Sequence, residues 1–157
     1  MDYEALLQVL ANSGVDFIVI GGAAATAYGS GRLTEDLDIV YDRSPENISK
    51  LVKALAPLKL YLRDAPAGLP FRWEEATVLR GLNFTLTTSL GPLDLFGEII
   101  SGGDYQDLVS HTILLQVFGV ECRFLNLPRL IEIKRATGRP KDREVLAELE
   151  VILEQQN

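Results

Sequence analysis

The sequence predicts an α+β fold, a mixed β-sheet with flanking helices, and three observations support this. The short apolar run Phe17–Ile20 is typical of a strand that is buried on both faces. The stretch Asn83–Thr88 alternates in character and is rich in threonine, as in a hairpin strand. Apolar residues recur at helical spacing over Leu127–Thr137. Buried strands, a hairpin and long helices together favour a mixed sheet that carries helices.

The length and composition indicate one folded domain. A chain of 157 residues has the size of an ordinary domain, and such a globule buries roughly 68 to 70% of the surface of its unfolded chain. Hydrophobic residues make up 47% of the chain and charged residues 24%, which is typical of a folded protein. We therefore expect residues 1–157 to form one domain, with C-terminal helices over about 127–156.

The charge and the N-terminus restrict the partners and the compartment. The formal net charge of −7 argues against broad electrostatic binding to nucleic acid. No apolar run approaches the roughly 20 residues that a transmembrane helix needs, and the N-terminus lacks the pattern of a signal peptide. We expect a cytoplasmic protein without a membrane partner. Cys122 is the only cysteine, so an intrachain disulfide and a cysteine-based zinc site are excluded, and we expect it to be a small buried hydrophobe.

The first half of the chain alternates helices with buried strands. A helix capped by Asp2 is expected through about Ser13, because apolar residues recur at helical spacing before Gly14. Ser44-Pro45 is a strong helix start, and the helix it opens should end before Pro57. Between these helices we predict the strand Phe17–Ile20, a short helix Ala23–Tyr28 and the strand Leu37–Tyr41.

In the second half, prolines and glycines between residues 66 and 70 predict an irregular surface loop. The turn Gly91-Pro92 should join Asn83–Thr88 to the strand Leu93–Phe96. The remaining predicted elements are a helical turn over Asp104–Ser110, a hairpin of Ile113–Val117 with Val120–Leu125, and helices over Leu127–Thr137 and Pro140–Gln155 on either side of Gly138.

Three aspartates are the candidate catalytic and metal-binding residues. Asp36 and Asp38 are separated by one apolar residue, so in a strand they project from one face, roughly 6.6 to 6.8 Å apart along the backbone. Asp94 lies between Leu93 and Leu95 in another predicted strand. If the two strands are neighbours, three carboxylates converge on one face of the sheet.

Without a counter-ion, such a cluster would destabilise the fold or be partly protonated. Two unit charges 4 Å apart repel by about 4 kcal/mol at an effective dielectric constant of 20. Hard oxygen ligands suit Mg²⁺, which commonly shares carboxylates with substrate phosphates. Two such ions can stabilise the attacking and leaving oxygens of an in-line phosphoryl displacement. We therefore expect two Mg²⁺ ions as cofactors, with Mn²⁺ as a possible replacement.

These residues resemble the signature of the nucleotidyltransferase superfamily, whose fold is that of DNA polymerase β. Gly21-Gly22 after an apolar strand, then Asp36-Leu37-Asp38, then Asp94 match the signature in order and spacing. Within the superfamily the chain looks most like the AbiEii-type group associated with toxin–antitoxin systems. The residues that carry this closer resemblance are Gly21-Gly22-x-Ala24, Gly29, Arg32-x-Thr34 and the stretch Lys134-Arg135-Ala136-x-Gly138-Arg139-Pro140-Lys141-Asp142.

The resemblance implies a nucleotidyltransferase-like domain that moves a nucleoside monophosphate from an NTP to an acceptor hydroxyl. It implies that Gly21 and Gly22 approach the triphosphate, that Asp36 and Asp38 bind both metal ions, and that Asp94 completes the site and activates the acceptor. Glycine permits this close approach, and the amides that open the following helix favour a phosphate.

Three further residues are expected at the nucleotide. Arg32 could neutralise a triphosphate oxygen, Thr34 could hydrogen-bond within its loop, and Lys134 could reach the same cleft from the late helix. Arg32 and Lys134 could equally pair with nearby surface acids.

Alternatives remain open at this level. Gly22 stands where many members of the superfamily have serine, so a phosphate contact is missing, and a catalytically weak or inactive nucleotide-binding module of a toxin–antitoxin pair is the second hypothesis. A structural partner that binds neither metal nor nucleotide is the third. The acceptor could be RNA, protein or a small molecule, and an antitoxin is a possible partner. We interpret Trp73 as a core anchor and the lone His111 as part of a surface turn.

Overall fold

The computed structural model describes residues 2–31, 34–138 and 140–156, and within the last range not the side chain of residue 141. The elements of the described chain follow one another in this order: α1 (Tyr3–Asn12), β1 (Phe17–Ile20), α2 (Gly21–Ala27), β2 (Leu37–Tyr41), α3 (Pro45–Leu55), β3 (Tyr61–Leu62), α4 (Glu75–Arg80), β4 (Phe84–Thr88), β5 (Gly91–Phe96), β6 (Glu98–Ile99), β7 (Gly103–Asp104), α5 (Tyr105–Leu108), β8 (Thr112–Val117), β9 (Val120–Leu125), α6 (Leu127–Thr137) and α7 (Arg143–Gln156).

Seven of the described strands form one mixed sheet, in the order β3-β4-β5-β2-β1-β9-β8. The pairs β2 with β5 and β1 with β9 are parallel, and the other neighbours are antiparallel. Strands β6 and β7 form a small separate hairpin. The α+β prediction with a mixed sheet and flanking helices is confirmed.

The residues predicted to start and stop helices do so. Asp2 accepts a hydrogen bond from the amide of Ala5 at 3.0 Å and caps α1, and Ser44 caps α3 with Pro45 as its first residue. Asn126 caps α6. Gly138 ends α6 with a φ of 62°, a left-handed conformation that glycine adopts readily.

The apolar residues predicted to form strands build the core. All four residues of β1 are buried, and Leu37 and Ile39 of β2 are fully buried. Because alternate side chains of a strand point to opposite faces, this burial fixes the register that leaves Asp38 on the other face. Helices α1, α3 and α4 form one packed group. Helix α2 contacts β1, β2 and α6, and α6 in turn contacts α7, which gives a second group.

The buried side-chain amide of Asn47 connects helix α3 to the ends of strands β1 and β2. The side chain of Asn47, 2% exposed, accepts a hydrogen bond from the amide of Asp16 at 2.7 Å. It donates to the carbonyl oxygens of Asp16 at 3.0 Å and of Asp42 at 2.7 Å. Asn47 on α3 therefore joins the residue before β1 to the residue after β2.

Three single-residue interpretations can be compared with the structure. Cys122 is 2% exposed and is a buried hydrophobe as predicted. Trp73 packs edge-to-face on Phe84 and donates from Nε1 to the Val52 carbonyl at 3.1 Å, so it is a core anchor. His111 ends a 3₁₀ turn, and its Nε2 lies 2.8 Å from Nη2 of Arg129.

The structure corrects several boundaries. Helix α2 begins at Gly21 rather than Ala23, so both glycines lie in its first turn. Strand β5 begins at Gly91, which moves the hairpin turn back to Ser89 and Leu90. Helix α7 begins at Arg143 because Pro140 opens a separate 3₁₀ turn. Strand β2 spans Leu37–Tyr41 as predicted, so Asp36 lies one residue before it.

The middle of the chain holds structure that the sequence did not predict. Residues 59–82 contain the two-residue strand β3 and the helix α4, and β6 and β7 follow β5. Pairs of strand residues carry no alternation pattern, so pairing with distant partners alone defines them. Among the described residues, no helix combines the length and the apolar character of a bilayer span.

Candidate active site

The three predicted aspartates meet at one edge of the central strands. β2 and β5 are parallel neighbours with Asp38 directly opposite Asp94, and Asp36 lies just before β2. One carboxylate oxygen from each residue lies within 4.8 Å of the other two. The convergence that depended on β2 and β5 being neighbours is therefore present.

The glycine pair lies beside this cluster. In the antiparallel β1–β2 ladder Ile20 is opposite Asp38, so Gly21 follows immediately next to the carboxylate. Gly21 has a φ of +67°, and a Cβ on it would collide with Oδ2 of Asp38. Glycine is required here by both the backbone conformation and the space that Asp38 occupies.

The neighbouring Gly22 makes room for another predicted residue. A Cβ on Gly22 would lie 2.8 Å from Oγ1 and 3.3 Å from Cβ of Thr34, so Thr34 fills the space that a serine side chain at position 22 would need. The Thr34 hydroxyl donates a hydrogen bond to the Asp36 carbonyl oxygen at 2.9 Å. Thr34 thus holds the backbone of the loop that presents Asp36, as the sequence predicted.

Burial, together with repulsion between the carboxylates, changes their protonation. Burial, then the nearby charges of Asp36 and Asp94, raise the pKa of Asp38 from 3.8 to about 8, while the Lys134 charge acts in the opposite direction. Burial also raises the pKa of Asp94, against the lowering effect of Arg63. The metal-free cluster therefore holds its negative charge at a considerable cost in free energy.

Arg63 is a member of the site that sequence reasoning missed. Its Nη2 lies 2.8 Å from Oδ1 of Asp94, and its Nη1 lies 3.6 Å from Oδ2 of Asp36. The same Nη2 donates to the Leu86 carbonyl oxygen at 2.6 Å. Arg63 follows the two-residue strand β3, and a lone arginine just before the predicted irregular loop gave no signal that it reached the aspartates.

Of the two basic residues predicted at the nucleotide, Lys134 lies among the described residues and Arg32 does not. Lys134 on α6 is 9% exposed and lines the same cavity as the aspartates, with its Nζ 3.8 Å from Oδ1 of Asp142. It therefore reaches the cleft from the late helix. Arg32 lies outside the described residues, so its predicted contact with a triphosphate stays a prediction.

A cavity of about 540 Å³ opens from the carboxylates. One wall is formed by the three aspartates with Gly21, and the others carry mostly apolar side chains from β1, β5, β6, β9 and α6. Its volume lies within the range of small-molecule sites. The carboxylates are therefore accessible to a ligand rather than sealed in the core.

The donor set fits a divalent cation. Oδ1 of Asp38 is buried and accepts no hydrogen bond from the part of the chain that is described, although buried polar atoms are normally paired. Three hard carboxylate oxygens within 4.8 Å of one another can converge on a single ion. Asp36, Asp38 and Asp94 are thus the residues that could hold Mg²⁺ or Mn²⁺.

Comparison with known proteins finds similarity to solved structures but none at the level of sequence. No protein-family profile matches the chain, and no curated protein matches it in sequence. Three solved structures are similar over most of its length. One is a provisionally assigned nucleotidyltransferase of Thermotoga maritima, TM1012, at 16% identity and a TM-score of 0.59, covering 93% of this chain and 91% of that one.

The second is the lincosamide antibiotic adenylyltransferase LnuA with lincomycin bound, at 14% identity and a TM-score of 0.64, covering 97% of this chain and 98% of that one. The third is an antigenic nucleotidyltransferase-like protein of Paracoccidioides brasiliensis, at 18% identity and a TM-score of 0.55, covering 97% of this chain and 73% of that one. The chain has a nucleotidyltransferase fold. At these identities the likeness establishes the fold, and none of the three descriptions names the AbiEii-type group.

Proposed function

We propose that the protein is a metal-dependent nucleotidyltransferase that moves a nucleoside monophosphate from an NTP to an acceptor hydroxyl. The observation that carries this proposal is the convergence of Asp36, Asp38 and Asp94 beside the Gly21-Gly22 turn, within a fold shared with nucleotidyltransferases. The substrates would enter through the cavity that the aspartates line.

The carboxylates are proposed as the metal ligands. Asp36 and Asp38 would hold two Mg²⁺ ions, or Mn²⁺ in their place, and Asp94 would complete the set. When bound, the ions would neutralise the carboxylates and the charge that develops on the attacking and leaving oxygens of an in-line displacement. Asp94, on the neighbouring strand to Asp38, would accept the proton of the acceptor hydroxyl.

The remaining proposed residues would hold the nucleotide. Gly21 and Gly22 lack side chains where the backbone turns beside Asp38, which allows a triphosphate to approach the main chain closely. Thr34 would keep the Asp36 loop in place through its 2.9 Å hydrogen bond. Lys134 in the cavity wall would supply positive charge to the phosphates, as would Arg32. Catalysis would consist mainly of positioning and charge neutralisation.

A labelling experiment tests the proposal. The protein is incubated with each α-³²P-labelled NTP, Mg²⁺ or Mn²⁺, and a cell extract that is separated into RNA, protein and small-molecule fractions. Label in one fraction is expected and names the acceptor class, which we leave open among the three. Asp36→Asn and Asp94→Asn should abolish the transfer, whereas Glu154→Gln, which removes an exposed carboxylate at the end of α7, should not. Transfer that survives in either aspartate variant contradicts the proposal.

A second candidate is a catalytically weak or inactive nucleotide-binding module of a toxin–antitoxin pair of the AbiEii type, with an antitoxin as its partner. Gly22 favours this candidate because the serine hydroxyl found in many members of the superfamily is absent and Thr34 occupies its space. Filter binding of the same labelled NTPs separates the candidates. Metal-dependent binding without label transfer supports the module, and transfer supports the enzyme.

A further inference from the structure

Arg63 belongs to the same rung of the sheet, meaning the row of residues paired side by side across the strands, as Asp38 and Asp94. Asp38 is opposite Asp94 across β2 and β5, and Asp94 is opposite Thr85 across β5 and β4. The amide of Arg63 donates to the Thr85 carbonyl at 2.9 Å, which extends the rung past β3. Residues on one rung share a face of the sheet. The guanidinium can therefore reach the carboxylates by spanning two strand spacings, roughly 9.5 Å.

The Arg63 guanidinium makes two short contacts through Nη2 and one longer contact through Nη1. Its Nη2 contacts Asp94 at 2.8 Å and the Leu86 carbonyl at 2.6 Å, and the Arg63 and Asp94 side chains are only 20% and 16% exposed. The contact from Nη1 to Asp36 is longer, 3.6 Å, and the Asp36 side chain is 37% exposed. The contact with Asp36 is therefore the weaker of the two.

We propose that Arg63 is a resident counter-cation of the carboxylate triad, and that a divalent ion displaces it from Asp36 while its contact with Asp94 persists. This inference rests on the proposed metal site. In the metal-free protein the guanidinium offsets part of the repulsion among three carboxylates. Three carboxylates, the guanidinium and one divalent ion together carry no net charge, so the retained Arg63–Asp94 pair is compatible with a loaded site. Asp36, released from Arg63, then turns its oxygen to the ion.

A counter-cation and a merely structural arginine predict different effects on metal affinity. A cation competes with the incoming ion for the same carboxylates, so its removal strengthens metal binding while it destabilises the metal-free protein. An arginine that only supports β3 and β4 would, on removal, lower stability and leave metal affinity unchanged or weaker.

The test measures Mn²⁺ binding by the loss of the free-ion electron paramagnetic resonance signal, without nucleotide, together with thermal unfolding in a chelator. Arg63→Gln should bind Mn²⁺ about tenfold more tightly than the natural protein at 0.1 M salt and unfold at a lower temperature. Arg63→Lys keeps the charge and should resemble the natural protein. The control is Arg135→Gln, which breaks an exposed ion pair with Glu150 and should change neither quantity. Unchanged or weaker Mn²⁺ binding by folded Arg63→Gln overturns the proposal.

Crystal structures of the natural protein with and without Mn²⁺ give an answer even if Arg63→Gln does not fold. The proposal predicts Mn²⁺ at the aspartates, with the Arg63–Asp36 nitrogen–oxygen distance increased beyond the 4.0 Å of an ion pair and the Arg63–Asp94 contact kept. If Mn²⁺ binds at the aspartates and Arg63 does not move, the proposal that Arg63 is a counter-cation is overturned, while the proposed metal site stands. Failure of Mn²⁺ to bind there at saturating concentration overturns both this inference and the metal-dependent function.

Discussion

Replacing Asp38 with asparagine should stabilise the metal-free protein, although Asp38 is proposed as a metal ligand. The substitution keeps the shape of the side chain and removes one of three charges whose oxygen atoms lie within 4.8 Å of one another. At that distance and an effective dielectric constant of 20, each pair of carboxylates repels by about 3.5 kcal/mol. Arg63 and Lys134 offset part of this repulsion, and the new amide adds a buried donor group that costs about 1 kcal/mol. We expect a net gain of about 2 kcal/mol at pH 8.5.

The effect should depend on pH with a definite sign. The pKa of Asp38 is raised from 3.8 to about 8 in the folded protein, so the folded state binds a proton more tightly than the unfolded state. The free energy of unfolding of the natural protein should therefore fall as the pH rises between about 4 and 8. The advantage of Asp38→Asn should be small near pH 4 and should level off above pH 8.

Thermal unfolding in a chelator, followed by circular dichroism, measures this effect. For a chain of this size about 2 kcal/mol corresponds to roughly 6 °C in the melting temperature. Adding Mg²⁺ with NTP should raise the melting temperature of the natural protein and leave Asp38→Asn unchanged, because the ligands bind only where the site is intact. If Asp38→Asn melts below the natural protein in the chelator at pH 8.5, while Glu154→Gln is unchanged, the reasoning about charge repulsion is refuted.

Three further substitutions test the packing around the site and the core. Gly21→Ala should lower the free energy of unfolding by at least about 3 kcal/mol and abolish NTP binding, because the new Cβ collides with Asp38. The control is Gly119→Ala, since Gly119 has a similar φ of +79° and a Cβ there would meet nothing within 4 Å. The control should lower the free energy of unfolding by only about 1 kcal/mol. Gly22→Ser should destabilise the protein by about 2 kcal/mol because the serine side chain overlaps that of Thr34. In urea unfolding, the double variant with Thr34→Ala should regain part of this lost stability. A double variant that regains none would contradict the described packing. Asn47→Ala should cost about 2 kcal/mol in the same assay because the Asp16 amide and the Asp42 carbonyl lose their Asn47 partner, and a loss below about 1 kcal/mol would contradict that role.

The sequence predicts the parts of the site that depend on local patterns. Alternation placed Leu37 and Ile39 in the core and Asp38 on the opposite face, and the same pattern around Asp94 identified the third carboxylate. Caps at Asp2 and Ser44 marked helices α1 and α3 because capping depends on a few adjacent residues. These features follow from one stretch of chain at a time.

The features that were missed depend on contacts between distant stretches. Arg63 reaches Asp94 only because β3 pairs with β4, and a two-residue strand has no periodicity to detect. The fit of Thr34 into the space above Gly22 joins helix α2 to the loop before β2. The apolar walls of the cavity come from five elements. Nothing in the composition of any one segment specifies these neighbours.

The most direct test of the account is the location of Mn²⁺ by anomalous X-ray scattering, in crystals grown with a non-hydrolysable ATP analogue. The account predicts anomalous peaks within coordination distance of Asp36, Asp38 and Asp94, with the triphosphate against the main chain of Gly21 and Gly22. Peaks elsewhere on the protein, or no peak at saturating Mn²⁺, would contradict it.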